Sequence, residues 1–260
     1  MFENRLIRLI AIALMISLVP VGSTSNPAQA AVSKIISYSP NTGAAEGGAK
    51  IQVKGTNLQN VTKVRIAGVT QSKLTSKSKS GFSFVLPKLS DSARKYGGFV
   101  KTEFFQAGSW KNVSAKFLAT ASRNKQFTSA KLIYRILETA QPGYVAATPG
   151  DDDLVASNSA SLYTVKLNVL NMSDSWIDLT CSFEVDIRVI DSSFRRFSNT
   201  GDRYTFLGNP ECNDFMNPGF DADVLWAFDV PNRFKPVAFE VTTVTWEGPD
   251  PKTFYFSISG

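Results

Sequence analysis

The sequence predicts an all-β protein, built as two β-sandwich domains behind an N-terminal export signal. Three observations carry this. Apolar residues alternate with polar ones over short runs, the period of a strand with one buried face. Clusters of Gly, Pro, Asn and Ser interrupt these runs at roughly the 8–12-residue spacing of a sandwich. Phe supplies 19 of the 260 residues while helix-favouring runs are scarce, and aromatic side chains suit a pleated, half-buried surface. The length suits one large or two small domains. With 43% hydrophobic and 19% charged residues, the chain has enough apolar side chains for packed cores.

Residues 1–30 read as a secretory signal peptide. Arg5 and Arg8 form the positive start, residues 9–19 the apolar run, Pro20 and Gly22 the break, and Ala28-Gln29-Ala30 the small-x-small cleavage site. The apolar run is short for a membrane span; retained, it would be an N-terminal anchor. No Cys stands beside the cleavage site, so a lipid anchor is not expected, and no second run is long enough to span a bilayer. The mature chain is therefore expected to be secreted or held in a bacterial cell envelope.

Residues 31–120 form the first block. Strands are expected at 35–38, at 51–54 with Ile51 and Val53 inward, at 63–67 around Val64 and Ile66, at 82–86 with Phe82, Phe84 and Leu86, at 99–105, and at 113–118. Residues 121–125 are a polar hinge. Residues 126–260 form the second block, with strands begun by Leu132, Tyr134 and Ile136, then 162–170, 183–189, 224–228, 237–241 and 254–258. Residues 142–161, rich in Pro, Gly, Asp and Ser, read as a long loop. No helix longer than two turns is expected.

The first block carries Ile36-Ser37-Tyr38-Ser39-Pro40-Asn41-Thr42-Gly43, then Glu46-Gly47-Gly48, Ile51-Gln52-Val53-Lys54-Gly55-Thr56-Asn57-Leu58, Val64-Arg65-Ile66-Ala67-Gly68, and a strand stopped by Pro87. These spaced elements resemble the IPT/TIG family, which implies an immunoglobulin-like sandwich over about 33–120. Pro40 ends the first strand because it cannot donate to a ladder. Gly43, Gly47 and Gly48 are expected to supply left-handed turn positions. The Lys/Ser-rich residues 72–80 are more basic than the family's pattern. Such domains occur in surface receptors, transcription factors and extracellular enzymes, so the resemblance implies a scaffold rather than a ligand.

The second block has a strand through Val165 and Val169, Asn171 with a polar turn, the strand 183–191, Asn217-Pro218-Gly219, and Phe228-Asp229-Val230-Pro231. It resembles bacterial extracellular immunoglobulin-like domains of unknown function related to a small secreted mycobacterial antigen. Pro218-Gly219 is read as the centre of a type II turn.

The chain contains no His. That removes Ser/His/Asp and Cys/His nucleophile systems and His-dependent zinc sites. No catalytic residue, cofactor or metal is expected. Carboxylate pairs from distant strands remain a formal route to hydrolysis. Cys181 and Cys212 are the only cysteines; an oxidising compartment joins them, and otherwise they are two buried thiols.

Charge is divided unevenly. Residues 31–120 hold 14 Lys/Arg and 3 Asp/Glu, whereas residues 126–260 hold 10 and 18. A basic exported module fits an anionic envelope polymer, with Lys73, Lys77, Lys79, Arg94 and Lys95 as the densest candidates. The plainer readings are a solvated face, or a basic domain docked on its acidic neighbour. Export argues against a specific nucleic-acid partner. Asp151, Asp152 and Asp153 lack the alternating spacing of a calcium loop, and Asp214, Asp221 and Asp223 form a second acidic group. Of the tryptophans Trp110, Trp176, Trp226 and Trp246, Trp226 reads as core. Trp176, in a polar turn, is the candidate glycan contact, with partial burial as the alternative. The functional expectation is a non-enzymatic binding protein whose partner is a protein or an anionic envelope polymer. The alternative is a carbohydrate-binding accessory protein using exposed aromatics.

Overall fold

The structure is a computed structural model and describes residues 32–121, 126–129, 131–181, 185–243 and 252–258. The expected signal peptide, most of the expected hinge, and Trp246 lie outside the described residues. Ser33–Gly260 form one compact unit, and the protein is all-β. No described helix is long and apolar enough to cross a membrane.

In the first block the chain runs β1 (Lys34–Ser39), β2 (Thr42–Ala44), β3 (Lys50–Thr56), β4 (Lys63–Ile66), β5 (Val69–Gln71), β6 (Gly81–Val85), α1 (Asp91–Tyr96), β7 (Gly98–Val100), β8 (Thr102–Gln106), β9 (Ser109–Asn112) and β10 (Phe117–Thr120). Three sheets form, ordered β1-β3-β6, β2-β10-β7 and β5-β4-β8-β9. Their inward residues, among them Ile35, Ile51, Val53, Phe82, Phe84, Val64, Ile66, Phe104 and Phe117, make one core. The alternation along β3 and β6 puts these side chains on one face, as expected of a period-two run.

Three expectations need correction here. Residues 99–105 are not one strand: β7 ends at Val100 in the sheet of β10, and β8 begins at Thr102 in the sheet of β4, so the chain changes sheets at Lys101. Residues 113–118 are not a single strand: β9 ends at Asn112, and β10 begins at Phe117. Between them the chain leaves the sheet of β8 and joins that of β7 and β2, so apolar alternation continues while the hydrogen-bond partner changes. Gly47 and Gly48 do have positive φ, at 84° and 92°, but Gly43 does not. Gly43 sits in close packing instead: a Cβ there would lie 2.8 Å from Leu86 Cδ2 and 3.3 Å from Phe117 Cζ.

The second block runs β11 (Gln126–Ser129), β12 (Leu132–Ala140), β13 (Tyr144–Val145), β14 (Leu154–Val155), β15 (Ala160–Asn171), β16 (Val185–Asp191), β17 (Arg196–Ser198), β18 (Asp221–Pro231), β19 (Pro236–Thr243) and β20 (Lys252–Ser257). Sheet β11-β12-β15-β18 faces a core shared with sheet β17-β16-β19-β20. Trp226, fully buried as expected, sits in it with Tyr134, Val165, Ile187, Phe239 and Phe254. Pro218-Gly219 forms the expected turn: Gly219 has φ 83°, and the Phe220 N–H donates to the Asn217 carbonyl.

The expected long loop is more than a loop. Its β13–β14 ladder folds back on the outer face of β15 and β18. There Val145, Leu162, Phe206 and Ala227 build a small third core, joined by Leu154 and Leu225.

The two sandwiches meet through apolar contact. Leu118, Ile190 and Ala238 are fully buried together, with Phe194 and Tyr255 beside them. The Phe99 ring meets Phe194 edge-on at 5.1 Å and Tyr255 at 6.1 Å. The Ala121 N–H donates to the Tyr255 carbonyl at 2.7 Å, and Asn41 Nδ2 donates to the Ser192 carbonyl at 2.8 Å. Every ion pair among the described residues lies within one sandwich. The seam is thus mainly apolar and bridged by no described ion pair, although the Arg196 guanidinium of the second sandwich stands 5.5 Å from the centre of the Phe99 ring. Among the described residues the charge imbalance is not used up by docking basic block on acidic block.

Candidate functional site

The basic candidates are organised by the sheet β1-β3-β6. With Ile51 and Val53 inward, β3 turns Lys50, Gln52 and Lys54 outward. In register, Lys54 lies between Ser37 of β1 and Gly81 of β6, and Gln52 lies between Ser39 and Ser83. The Lys/Ser-rich segment 72–80 is pinned to this sheet. Thr75 and Ser83 exchange two backbone hydrogen bonds of 2.7 Å, and the Gly55 and Leu58 N–H groups donate to the Ser80 and Lys79 carbonyls at 2.9 Å. Ser78 Oγ accepts from the Gly81 N–H at 3.0 Å. The segment and the sheet border an open groove of about 620 Å³, lined by Lys50, Gln52, Lys54 and the serines Ser37, Ser76, Ser78, Ser80 and Ser83.

The first sandwich has few carboxylates, and all three are occupied. Glu46 pairs with Lys88 and Arg94, Asp91 with Arg94, and Glu103 with Arg65 and Lys101. Hydrogen bonding from Lys101 is the main reason the Glu103 carboxyl is held below the usual carboxylate range. Lys50, Lys54, Lys73, Lys77 and Lys79 form no ion pair among the described residues, and the segment 72–80 is largely exposed.

Of the residues nominated from sequence, Lys73, Lys77 and Lys79 therefore share a structural element beside the groove. Arg94 and Lys95 lie apart on α1. Arg94 is tied to Glu46 and Asp91, and the Lys95 ammonium lies 5.1 Å from the centre of the Tyr96 ring. Sequence reasoning missed Lys50 and Lys54, although their alternation with Ile51 and Val53 marks them as outward-facing.

At one end of the second sandwich, Cys181 and Cys212 form a disulfide. It ties the β15–β16 connection to the loop before β18. Asp178, 3% exposed, serves this clip. Its carboxylate accepts the N–H groups of Thr180 at 2.9 Å, Cys181 at 3.0 Å and Asn213 at 3.2 Å. Burial pushes the Asp178 carboxyl up, but these bonds together outweigh it and leave the group below its ordinary range. Asp178 and the two cysteine sulfurs lie close enough to suggest a metal cluster, but the disulfide consumes both sulfurs. Buried Asn171 completes the clip, donating to the Ser175 and Met216 carbonyls.

Trp176 is 52% exposed in this region and packs against Phe215, with ring centres 4.3 Å apart. It is half-buried, and it has no place in the lining of the serine-rich groove. Asp151 and Asp153 act in local turns: Asp153 Oδ1 accepts the Ala147 N–H at 2.9 Å, and Asp151 Oδ2 accepts the Thr148 hydroxyl at 2.9 Å. Asp221 and Asp223 both accept from Asn168 Nδ2 on neighbouring β15.

Fold and surface together define an all-β protein of two apposed sandwiches with a disulfide-clipped second half. Residues 33–119 match the IPT/TIG domain. Among curated proteins no relative matches the chain. Among solved structures it is similar to an uncharacterized β-sandwich protein from Clostridium difficile 630, at 13% identity and a TM-score of 0.36, over 53% of this chain and 92% of that one. A conserved hypothetical protein from Bacillus anthracis is similar at 9% identity and TM-score 0.36, over 51% and 94%. A third is a Bacteroides ovatus protein, SGBP-B of a mixed-linkage glucan utilization locus in complex with a heptasaccharide. It is 14% identical, with TM-score 0.27, over 75% and 53%.

Proposed function

We propose that the protein is an exported, non-enzymatic binding protein whose first sandwich holds an anionic cell-envelope polymer along the β1-β3-β6 face. In this reading residues 1–30 direct export, residues 121–125 join the two sandwiches, and the second sandwich belongs with the bacterial extracellular domains it resembles. The carrying observation is the groove lined by Lys50, Lys54 and a row of serines, next to the exposed segment that bears Lys73, Lys77 and Lys79; none of these five lysines is paired with a described carboxylate. A repeating polyanion supplies phosphate or carboxylate groups to the ammoniums and acceptors for the hydroxyls. Single exposed ion pairs contribute only about 0–1 kcal/mol each, so affinity comes from several acting together on one chain. Such binding weakens as salt shortens the screening length.

The test is co-sedimentation of residues 31–260 with purified cell envelopes across a salt series, beside a Lys50→Glu/Lys54→Glu/Lys77→Glu variant. These side chains are exposed, so the variant is expected to fold. The expected result is binding that fades with salt and is lost in the variant at physiological salt. Binding unaffected by the triple charge reversal, or no binding by the parent protein, refutes the reading.

A further inference from the structure

A second groove, on the other sandwich, has different chemistry. It lies on the outer face of the β12–β15–β18 sheet, beside the third core, and measures about 290 Å³. Tyr144, Pro142, Leu207 and Leu225 supply its apolar walls; Glu138, Thr164 and Lys166 supply its polar groups. Tyr144 is 58% exposed and Leu207 59% exposed, although each stands on a well-fixed segment. The Leu207 N–H donates to the Ala146 carbonyl at 2.9 Å and the Thr148 N–H to the Thr205 carbonyl at 2.8 Å. Asn209 exchanges hydrogen bonds with the Leu225 backbone at 2.7 and 3.0 Å. Large apolar side chains kept exposed on a rigid wall mark a contact surface, and a wall already ordered loses little entropy when it binds.

The polar groups narrow the ligand. Glu138 and Lys166 are directly opposite in the β12–β15 register, yet Lys166 pairs with Asp223 at 3.3 Å. Glu138 forms no ion pair among the described residues. The groove thus holds a free carboxylate beside a neutralised ammonium, which repels an anion and favours a ligand that donates hydrogen bonds. The Tyr144 ring stacks on no other ring among the described residues, unlike Trp176, which packs on Phe215. A flat aromatic face lining the same groove as a carboxylate acceptor matches the apolar face and ring hydroxyls of a pyranose. A volume near the lower end of the usual range of about 300–1,000 Å³ for ligand pockets suits a short stretch of such a chain.

We propose that this groove is a binding site for a neutral polysaccharide, with Tyr144 as the stacking platform and Glu138 as the hydroxyl acceptor. The site is separate from the lysine-flanked groove and opposite in charge preference. The test is native affinity electrophoresis of residues 31–260 in gels carrying soluble neutral glucan, mannan or galactan, at a salt concentration that abolishes envelope sedimentation. Retardation by at least one of these is expected. It should weaken about tenfold or more in Tyr144→Ala, survive in Tyr144→Trp, and weaken in Glu138→Gln. The Lys50→Glu/Lys54→Glu/Lys77→Glu variant should be retarded like the parent. No retardation by any of the three glycans overturns the assignment, as does retardation undiminished in Tyr144→Ala. Glycan retention that vanishes only in the lysine variant also overturns it, placing the glycan on the first sandwich. Loss of envelope sedimentation alone leaves this site untouched and removes only the polyanion reading.

Discussion

The seam between the sandwiches depends on the absence of a side chain at Gly97, and Gly97→Ala tests it. Gly97 caps α1, its N–H donating to the Ala93 carbonyl, at φ 67° and ψ −153°. This backbone region is essentially restricted to glycine, and other residues there cost about 1–3 kcal/mol. A Cβ would also lie 2.7 Å from the Ala119 carbonyl oxygen, in the first sandwich, and 2.7 Å from that of Tyr255, in the second. Neither oxygen moves without its strand, so relief requires the seam to open. Opening exposes Leu118 and Ile190, both fully buried, at about 1.5–3 kcal/mol for each side chain fully exposed. A total destabilisation of about 3–6 kcal/mol follows when the seam opens only in part, lowering Tm by on the order of 10 °C for a protein of this size. Gly108→Ala is the control. Its φ is 78°, but a Cβ there would meet nothing within 4 Å, so it carries only a backbone penalty of about 1–2 kcal/mol. Thermal and denaturant unfolding of both variants provide the assay, with small-angle scattering to detect a widened molecule. If Gly97→Ala and Gly108→Ala melt within a degree or two of each other, the close seam is refuted.

Replacing both Cys181 and Cys212 by Ala should cost about 3–4 kcal/mol, from the loop their separation of 31 residues closes; unchanged unfolding, or two titratable thiols in the unreduced protein, would contradict the clip. Asp178→Asn should destabilise by roughly 1–3 kcal/mol at pH 7, measured by denaturant unfolding. Because the folded Asp178 carboxyl titrates below its ordinary value, its contribution is complete above an unfolded pKa of about 3.9 and fades as pH falls through the lower folded value. The gap between parent and variant should therefore close in strong acid, and a gap that is constant with pH would show that the carboxylate's charge is not involved.

Much of the architecture was legible in the chain because it rests on local patterns. Period-two alternation in Lys50-Ile51-Gln52-Val53-Lys54 and Phe82-Ser83-Phe84 names the strands and their inward faces, and Asn217-Pro218-Gly219 names its turn. The cysteine pair was equally visible, as the only two in the chain. The candidate site was only half legible. Residues 72–80 announce themselves by composition, whereas Lys50 and Lys54 join them through strand register. Arg94 looks equivalent to its neighbours in sequence, but Glu46, distant along the chain, neutralises it together with Asp91.

By itself, then, the sequence determined an all-β chain, its inward and outward side chains, its basic first block and acidic second, and the want of any histidine chemistry. Tertiary structure alone decided which of the described lysines form no ion pair, that no described ion pair bridges the seam, and that residues 142–156 fold into a wall that carries Tyr144. The physical reason is range. Alternation and turn preference act between near neighbours, while ion pairing, sheet register and the packing of a loop on a sheet depend on residues that meet only once the chain has folded.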